Sequence, residues 1–538
     1  MNSERRWVIL AVLVLLVAAA LGGVYGPSVR ATTSSADDYQ SAVRQFTRVL
    51  DVVQSNYADP VDVDKQVYQG AIPGMLRVLD PHSNFFDARQ FALLREDQRG
   101  RYYGVGMIIT PQPNHTVAVT APYSGGPAFK AGLKPGDTIL TIDGKTAQGL
   151  TVQEVADLLK GPKGSAVMIT VSREGWAEPL TFSLIRQEIP RHSVDIAYLL
   201  RPRIGYIRLS SFNETTDHEI ADALKDLNAS SLDGLILDMR GNPGGLLNEA
   251  VAVGDMFLEK NQLIVSHHGR ASQEHRYYAV RGNQGVTVPL VILVNNNSAS
   301  ATEIVSGAVQ DHDRGLVVGE TTFGKGLVQT VQPLSENTGL ALTTARYYTP
   351  SGRLIQRDYK SISLYQYHYE RKVPDHPTEV KLTDSGRQVT GGGGITPDIV
   401  VSLPRLSKFE ERLLDSYILY KGEVGVGNFA RSYLGTRPTI TRDFEVGDDL
   451  MLEFRKYLRD HSFSYTETEV VENQDWIKRK IKQEIFASAF DMQEGFKILL
   501  EGDPQLERAV DAIPRARALY ENARRVVAQE RNTTLDRP

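Results

Sequence analysis

The sequence predicts a multidomain α/β protein, in which an α/β layered core carries an inserted β-rich domain and helical regions lie at both ends. Residues 188–404 alternate apolar strands with helical stretches, the pattern of an α/β layered core. Residues 99–188 contain short β-branched runs separated by glycine-rich and proline-rich turns, which is typical of a β-rich domain. Residues 39–79 repeat apolar side chains at helical spacing, and residues 405–538 are rich in Glu, Arg, Lys and Leu.

Composition narrows the class of protein. The chain has 538 residues, too many for one ordinary domain, and 41% of them are hydrophobic. The formal net charge is -5 and no basic stripe is present, so we expect no nucleic-acid partner. The chain has no cysteine, which excludes a thiol nucleophile and disulfides. Its histidines lack zinc-binding spacing, and we expect neither a metal nor a cofactor.

The N-terminus carries a candidate membrane segment. Arg5 and Arg6 precede an apolar run from Trp7 to Tyr25, and these nineteen residues can just cross a bilayer as a helix. The two arginines favour a cytoplasmic N-terminus with the remainder exported. We therefore expect residues 1–26 to be an anchor in the cell (inner) membrane, with a catalytic domain that is periplasmic or otherwise extracytoplasmic. A cleaved signal peptide, which would release the chain to the periplasm, is the alternative.

The predicted elements follow this plan in order. In the β-rich domain, strands are expected at 107–110, 116–120, 138–142 and 167–172, with helices at 126–131 and 152–159. In the core, strands are expected at 204–209, 234–238, 288–294, 316–319 and 395–401, with helices at 216–227, 246–257 and 301–310. The expected units are 36–98 (helical), 99–188 (β-rich), 189–404 (core) and 405–538 (helical extension).

Three polar motifs each follow an apolar strand of the core. They are Asp238-Met-Arg-Gly-Asn-Pro-Gly-Gly245, Asn297-Ser-Ala-Ser-Ala-Thr-Glu303 and Gly319-Glu-Thr-Thr-Phe-Gly-Lys-Gly-Leu-Val-Gln329. Because ligands of α/β folds gather at the carboxyl ends of the strands, the three motifs are expected to form one site.

The second motif places Ser298 and Ser300 at a strand-to-helix turn. A serine there lies beside unpaired backbone N–H groups, which favour negative charge, and can attack a carbonyl carbon. A plain helix N-cap is the commoner role of serine at such a position, and this motif alone leaves both readings open.

The third motif places Lys325 between Gly324 and Gly326. Lysine acts as a general base only when neutral, and burial lowers its pKa toward that state. A serine–lysine pair is a known variant of the serine triad, and the amide oxygen of Gln329 can hold the amine. The motif nearly matches a phosphate-binding loop from Gly319 onward, but a glycine stands where the Mg²⁺-binding hydroxyl is required, which argues against ATP binding.

The first motif supplies candidate oxyanion donors. Backbone N–H groups in a turn between a strand and a helix can form an anion pocket. The Gly244 and Ala301 amides together can stabilise the oxyanion of acyl transfer, at about 2.7–4 kcal/mol per donor. A helix-start turn without a ligand is the alternative reading.

Residues 36–404 resemble the carboxyl-terminal processing proteases, also called tail-specific proteases. The resemblance implies a serine-type endopeptidase whose nucleophile is Ser300, whose base is Lys325 and whose orienting residue is Gln329, with oxyanion amides at Gly244 and Ala301. The matching segments are Leu79-Asp-Pro-His-Ser83, Gly104-Val-Gly-Met107, Gly132-Leu-Lys-Pro-Gly-Asp137, Gly161-Pro-Lys-Gly164, Gly205-Tyr-Ile-Arg-Leu209, Asn242-Pro-Gly-Gly245, Ser298-Ala-Ser-Ala301, Gly319-Glu320, Phe323-Gly-Lys-Gly326, Gln329 and Tyr348-Thr-Pro-Ser-Gly-Arg353.

The same family carries a PDZ domain, which residues 99–188 resemble. In such a domain a peptide adds as a strand to a sheet edge, and backbone N–H groups bind its terminal carboxylate. The resemblance implies that Gly104, Val105, Gly106 and Met107 supply these donors, and that Val105, Met107 and Ile109 line the apolar pocket. The implied partners are protein or peptide substrates with free C-termini.

The chain departs from the family pattern at several places. Asn297 stands where the family usually has glycine, Thr302 where it often has serine, and Lys160 where it often has arginine. Lysine lacks the planar fork of arginine, which puts any signalling role of that position in doubt. Residues 357–381 match nothing in the family, and a role of residues 405–538 in assembly, for example in a homo-oligomer, stays open.

Two other functions compete with the protease. A non-catalytic PDZ scaffold for envelope proteins would have the same peptide site without a working Ser300 and Lys325. A lyase or hydratase on a related α/β fold is disfavoured by the inserted PDZ-like domain. His82 and His312 suggest a serine–histidine triad, but the chain has no G-x-S-x-G elbow, and His82 is expected to be structural.

Overall fold

The structure is a computed structural model that describes residues 36–112, 115–173, 175–363, 365–367, 379–419, 425–437 and 439–535. The chain divides into two compact units, one up to Leu76 and one from Arg77 onward. The first unit contains α1 (Ala36–Asn56), the π-helical α2 (Lys65–Ala71) and α3 (Ile72–Arg77), which ends at the boundary. No helix within the described ranges is long and apolar enough to cross a bilayer, and the predicted anchor at 1–26 lies outside them.

The second unit begins with a short strand and a helix and continues into the predicted β-rich domain. A six-stranded sheet runs in the order β3-β4-β5-β7-β8, with β6 on β5, and β2 pairs with β9 where the chain enters and leaves the domain. Strands and two helices bury one apolar core. The elements are β1 (Asn84–Phe86), α4 (Ala88–Arg99), β2 (Arg101–Gly104), β3 (Met107–Gln112), β4 (Thr116–Pro122), α5 (Pro127–Ala131), β5 (Thr138–Ile142), β6 (Lys145–Thr146), α6 (Val152–Leu159), β7 (Ala166–Ser172), β8 (Leu180–Ile185) and β9 (Gln187–Pro190).

The central sheet of the core has six strands in the order β10-β11-β12-β15-β16-β21, and only the β10–β11 pair is antiparallel. Every residue of β12, β15 and β16 is buried, as expected for parallel strands covered on both faces, which is why they read as continuous apolar runs. The elements are β10 (Val194–Arg201), β11 (Ile204–Leu209), α7 (Thr216–Asp226), β12 (Gly234–Asp238), α8 (Leu247–Phe257), β15 (Leu290–Val294), α9 (Ala301–Asp311), β16 (Gly315–Gly319) and β21 (Ile399–Val400).

The two faces of this sheet are covered from different parts of the chain. Helices α7, α8 and α9 pack on one face. The other face is covered by α16 (Pro504–Leu535), whose Val510 and Ile513 join a buried cluster with Ile236 and Val291 of the sheet. The last helix therefore completes the α/β/α sandwich, a role that the sequence did not indicate.

A second, antiparallel sheet lies beside the core in the order β1-β18-β13-β14, with β17 paired to β18. Its strands, which the sequence did not predict, are β13 (Leu263–His268), β14 (His275–Tyr278), β17 (Leu327–Pro333) and β18 (Gly339–Tyr348). A two-stranded ribbon of β19 (Glu379–Leu382) and β20 (Gln388–Gly391) follows.

The helices that precede α16 bury a core of their own, which confirms the helical C-terminal region. They are α10 (Lys408–Leu419), α11 (Val426–Thr436), α12 (Asp448–Asp460), α13 (Glu467–Glu472), α14 (Gln474–Ala489) and α15 (Met492–Leu500).

Candidate active site

The three polar motifs meet at the carboxyl edge of the central sheet. The Ala299 N–H donates to the carbonyl oxygen of Asn242 (3.0 Å), which joins the second motif to the first. The Phe323 N–H donates to the carbonyl oxygen of Ser298 (2.9 Å), which joins the third motif to the second. The three turns lie side by side, as expected from the sequence, because β12, β15 and β16 are parallel neighbours and their carboxyl ends share one edge of the sheet.

Ser300 is the N-cap residue of α9 and is partly exposed. Its backbone φ of 56° lies in a region that residues with a Cβ rarely adopt, which costs roughly 1–3 kcal/mol and persists only where neighbours enforce it. Ser298, by contrast, is fully buried, and its hydroxyl donates to the carbonyl oxygen of Met239 (2.8 Å). Of the two serines, only Ser300 is accessible to solvent.

Glu303 ties the serine turn to the lysine loop, and the sequence reasoning missed it. One carboxylate oxygen accepts the N–H groups of Ser300 (2.8 Å) and Lys325 (2.9 Å). The other accepts the Gly324 N–H (2.7 Å) and the Thr322 hydroxyl (2.5 Å). Its position three residues after the N-cap is the capping-box pattern, which was a usable signal in the sequence.

A buried tyrosine makes a second link between the same two segments. The Tyr347 hydroxyl lies within hydrogen-bonding range of the carbonyl oxygens of Ser300 (3.2 Å) and Lys325 and can donate to either. Burial raises the pKa of Tyr347 well above its usual value, so the group stays a neutral donor. The Ser300 turn and the Lys325 loop are therefore held together from both their N–H and their carbonyl sides.

Lys325 sits in a tight loop between two glycines. A Cβ on Gly326 would lie 2.9 Å from the backbone nitrogen of Gln356, and one on Gly324, where φ is +86°, would lie 2.9 Å from Cβ of Arg357. Burial lowers the pKa of Lys325 from its usual 10.5, and the charges of Glu303 and Asp80 oppose that shift. The loop thus favours the neutral amine that a general base must be.

The candidate catalytic side chains do not yet form a hydrogen-bonded chain. Among the described residues, no hydrogen bond connects the Ser300 hydroxyl, the Lys325 amine and the Gln329 amide. The Gln329 amide nitrogen donates instead to the Thr343 hydroxyl (3.3 Å) across the β17–β18 pair, next to a bulge. Catalytic hydrogen bonds are often long in structures without substrate, so the pairing of these side chains stays a prediction.

The two candidate oxyanion donors differ in state. Ala301 is the first residue of α9, and no acceptor within the described part of the chain takes its N–H group. The Gly244 N–H donates to the side-chain oxygen of Asn242 in its own turn (2.8 Å). A Cβ on Gly244, where φ is +95°, would lie 2.8 Å from both the Ala301 nitrogen and Cβ of Ser300, so the turn packs closely against Ser300.

His82 belongs to a structural turn, as expected. The Asp80 carboxylate accepts the N–H groups of His82 (2.8 Å) and Ser83 (2.7 Å), and the His82 ring bonds the Tyr367 hydroxyl (2.8 Å). Tyr367 is fully buried, and the Arg357 guanidinium lies 4.6 Å from its ring centroid. Arg357 and Tyr367 belong to the segment 357–381, which matches nothing in the family, and this part of the segment therefore packs beside the lysine loop.

The loop that resembles a carboxylate-binding loop lies over the core of the β-rich domain. Val105 and Met107 are buried in that core together with Leu159 of α6, and Ile109 packs against it. Lys160, which follows α6, makes an ion pair with Glu96 of α4 (2.5 Å). The apolar side chains that were predicted to line a pocket, Val105, Met107 and Ile109, thus belong to or contact the same buried cluster as Leu159.

Comparisons with known proteins identify two domains and several relatives of the chain. A family model described as Peptidase family S41 matches residues 203–361, and one described as PDZ domain matches residues 118–173. The chain is 36% identical over 383 residues to the carboxy-terminal-processing protease of Bartonella bacilliformis, covering 70% of this chain and 79% of that protein. It is 32% identical over 359 residues to the carboxy-terminal processing protease CtpA of Bacillus subtilis, covering 66% and 76%. Among solved structures, the photosystem II D1 C-terminal processing protease is 32% identical, with 68% of this chain and 88% of that chain covered and a TM-score of 0.34.

A mixed α/β core that matches peptidase family S41, joined to a PDZ domain, defines a serine-type peptidase with its own peptide-binding domain. The chain belongs to the carboxy-terminal processing proteases of peptidase family S41, which confirms the resemblance and the fold class stated from the sequence.

Proposed function

We propose that this protein is an endopeptidase that captures the C-terminal tails of protein substrates and cleaves them with Ser300 as nucleophile and Lys325 as general base. The observation that carries the proposal is the shared anchoring of both residues, since one buried carboxylate binds the N–H groups of Ser300 and Lys325. Such anchoring fixes two segments that are far apart in sequence and thereby supplies the proximity that catalysis requires.

The chemical steps follow the general scheme of serine acyl transfer. Neutral Lys325 takes the proton of the Ser300 hydroxyl while the oxygen attacks the scissile carbonyl carbon. The resulting ammonium returns that proton to the leaving amine, and the acyl-enzyme is then hydrolysed by a water that Lys325 deprotonates. The Gln329 amide oxygen is the proposed partner that orients the lysine. It would bind the Lys325 amine once substrate is bound.

The proposed oxyanion donors are the N–H groups of Ala301 and Gly244. Ala301 offers its N–H at the start of α9, where the helix dipole also favours negative charge. The Gly244 N–H must leave, or share, its bond to the Asn242 side chain before it can serve. Both donors lie beside Ser300, where an attacked carbonyl oxygen would acquire its charge.

The proposed tail-binding site is the loop of Gly104, Val105, Gly106 and Met107. Its N–H groups bind the substrate's terminal carboxylate, and Val105, Met107 and Ile109 contact the last apolar side chain. The buried placement of these side chains against α6 supports a preformed apolar wall. The tail then adds as a strand to the edge of the domain and leads the chain toward Ser300.

The predicted location and division of the chain remain parts of the proposal. We expect residues 1–26 to anchor the protein in the cell membrane with the peptidase on the extracytoplasmic side. The proposed units are 36–98 (N-terminal helical region), 99–188 (PDZ domain), 189–404 (peptidase core) and 405–538 (C-terminal helical extension).

The test compares wild type with Ser300→Ala on quenched fluorescent peptides that end in a free Ala, Val or Leu carboxylate. Wild type is expected to cleave them and Ser300→Ala to be inactive. The matched control is Ser306→Ala in the same helix, whose hydroxyl donates to the Thr302 carbonyl oxygen of its own helix, and it should keep its activity. Cleavage by Ser300→Ala at the wild-type rate would refute the assignment, and binding without cleavage by wild type would favour the scaffold.

A further inference from the structure

Arg240 is a buried guanidinium immediately before residues 241–245, the turn that carries the proposed donor Gly244 (the oxyanion turn), and it binds side chains from two distant parts of the chain. Its Nε and Nη2 atoms donate to the Asp238 carboxylate at the end of β12 (2.7–3.1 Å). Its Nη1 atom donates to the carboxylate of Asp503 (2.6 Å) and to the amide oxygen of Gln505 (3.0 Å). Only 8% of Arg240 is exposed, so each of these partners replaces water that the cation cannot reach.

The start of α16 is built around these contacts. One carboxylate oxygen of Asp503 caps the helix by accepting the N–H groups of Gln505 (2.9 Å) and Leu506 (3.0 Å), and the other accepts from Arg240. Gln505 is fully buried, and its amide nitrogen donates to the Val401 carbonyl oxygen (2.7 Å). The Val401 N–H in turn donates to the carbonyl oxygen of Gly319 at the end of β16 (2.8 Å).

From Arg240 the backbone leads directly into the candidate site. The next residue, Gly241, donates its N–H to the Asn295 side chain (2.8 Å) in the turn before the nucleophile. The carbonyl oxygen of Asn242 accepts from the Ala299 N–H (3.0 Å) and the Thr302 hydroxyl (3.1 Å). A shift of Arg240 therefore displaces the Gly244 amide relative to Ser300.

We propose that Asp503 and Gln505 are positioning residues of the peptidase, which hold the oxyanion turn in register through Arg240. This inference rests on the proposed function of Ser300 and Gly244. It makes the start of α16 part of the catalytic apparatus rather than a covering helix only. The alternative is that the contacts only stabilise the docked helix, which predicts lower stability at unchanged turnover.

The test separates the Arg240 contact from the helix cap. Asp503→Ser keeps a capping hydroxyl but loses the contact to Arg240, whereas Asp503→Ala loses both the cap and the contact. The control is Glu507→Ala, which removes an exposed ion pair between the same helix and Arg201 of the sheet. Measurements are kcat and KM on the quenched peptides and the thermal unfolding midpoint.

We expect Asp503→Ser to lower kcat by about 10- to 100-fold with KM nearly unchanged, because a displacement of about 1 Å has that effect on a reacting geometry. Asp503→Ala should lose the same activity and more stability, since it also lacks the cap, and Glu507→Ala should match wild type. Equal kcat for Asp503→Ser and wild type would overturn the proposal, as would an equal loss in Glu507→Ala.

A second measurement does not depend on activity. Hydrogen exchange is compared between the Ser300→Ala protein and the same protein that also carries Asp503→Ser. The double variant should exchange faster at residues 239–245 and at an unchanged rate in α7. Unchanged exchange at 239–245 would refute the positioning role even if the peptidase assignment stood. Faster exchange together with an active Ser300→Ala single variant would instead reject the proposed function and retain the coupling of α16 to the turn.

Discussion

Glu303 offers the sharpest test of how the site is held together, through the substitution Glu303→Gln. The carboxylate accepts four donors, and an amide of the same shape has only one accepting oxygen. If its NH₂ group turns toward Thr322, the hydroxyl oxygen there can accept, and the Gly324 N–H is left without a partner. If it turns the other way, the N–H groups of Ser300 and Lys325 lose theirs.

The magnitude follows from these bonds. One unpaired buried N–H costs about 1–3 kcal/mol, and two bonds that lose their charged acceptor weaken by about 1 kcal/mol each. Burial raises the pKa of Glu303, so removing the charge also relieves a desolvation cost. We therefore expect a net stability loss of at most about 5 kcal/mol but a fall in kcat of about 100-fold, since the Lys325 loop shifts relative to Ser300.

The assay pairs peptide cleavage with urea unfolding. Glu219→Gln is the matched control, because that carboxylate also accepts several donors, the N–H groups of Ser193 (2.8 Å) and Val194 (2.9 Å) and the Thr215 hydroxyl (2.6 Å), away from Ser300. It should lose comparable stability and keep its kcat. A folded Glu303→Gln variant with a kcat within threefold of wild type, a difference of about 0.7 kcal/mol in barrier height, would refute this expectation. An equal loss of activity in the control would refute it as well.

Three further outcomes are expected. Because burial depresses the pKa of Lys325 below 10.5, kcat/KM should rise with pH along a limb centred below 10.5. Lys325→Arg should abolish cleavage at every pH, since arginine keeps its proton. A pH profile that is flat would contradict a neutral lysine as the base. Gly244→Ala places a Cβ 2.7 Å from the Ala299 carbonyl oxygen and should lower kcat about 100-fold, whereas Gly386→Ala, at a similar φ of +84° but with open space, should only reduce stability. Amidation of a peptide's C-terminus should raise KM about tenfold or more through loss of the charge-assisted bonds to the Gly104–Met107 loop, and an unchanged KM would remove the tail-binding role from that loop.

The parts of the fold that could be predicted are those with a local signal. Strands β12, β15 and β16 are unbroken apolar runs because both faces are buried, and their order makes the three polar motifs neighbours. The Ser300 turn and the glycines around Lys325 could also be predicted, since each depends on residues adjacent in the sequence.

The parts that could not be predicted depend on partners far along the chain. Strands β17 and β18 carry polar and half-exposed side chains, so their pairing is set by tertiary contacts rather than by apolar periodicity. Glu303 reads as a capping-box residue, and nothing local shows that its carboxylate also receives the loop around Gly324.

The packing of α16 has a consequence for how the protein is made. Ile513 of that helix contacts the sheet residue Gly234, so this face of the core is closed by residues that the ribosome adds more than 250 positions later. Until then the apolar face formed by Ile236 and Val291 stays open to water and to other chains. A nascent chain thus carries Ser300 and Lys325 long before its core is complete, and the timing of synthesis itself delays the appearance of an active peptidase.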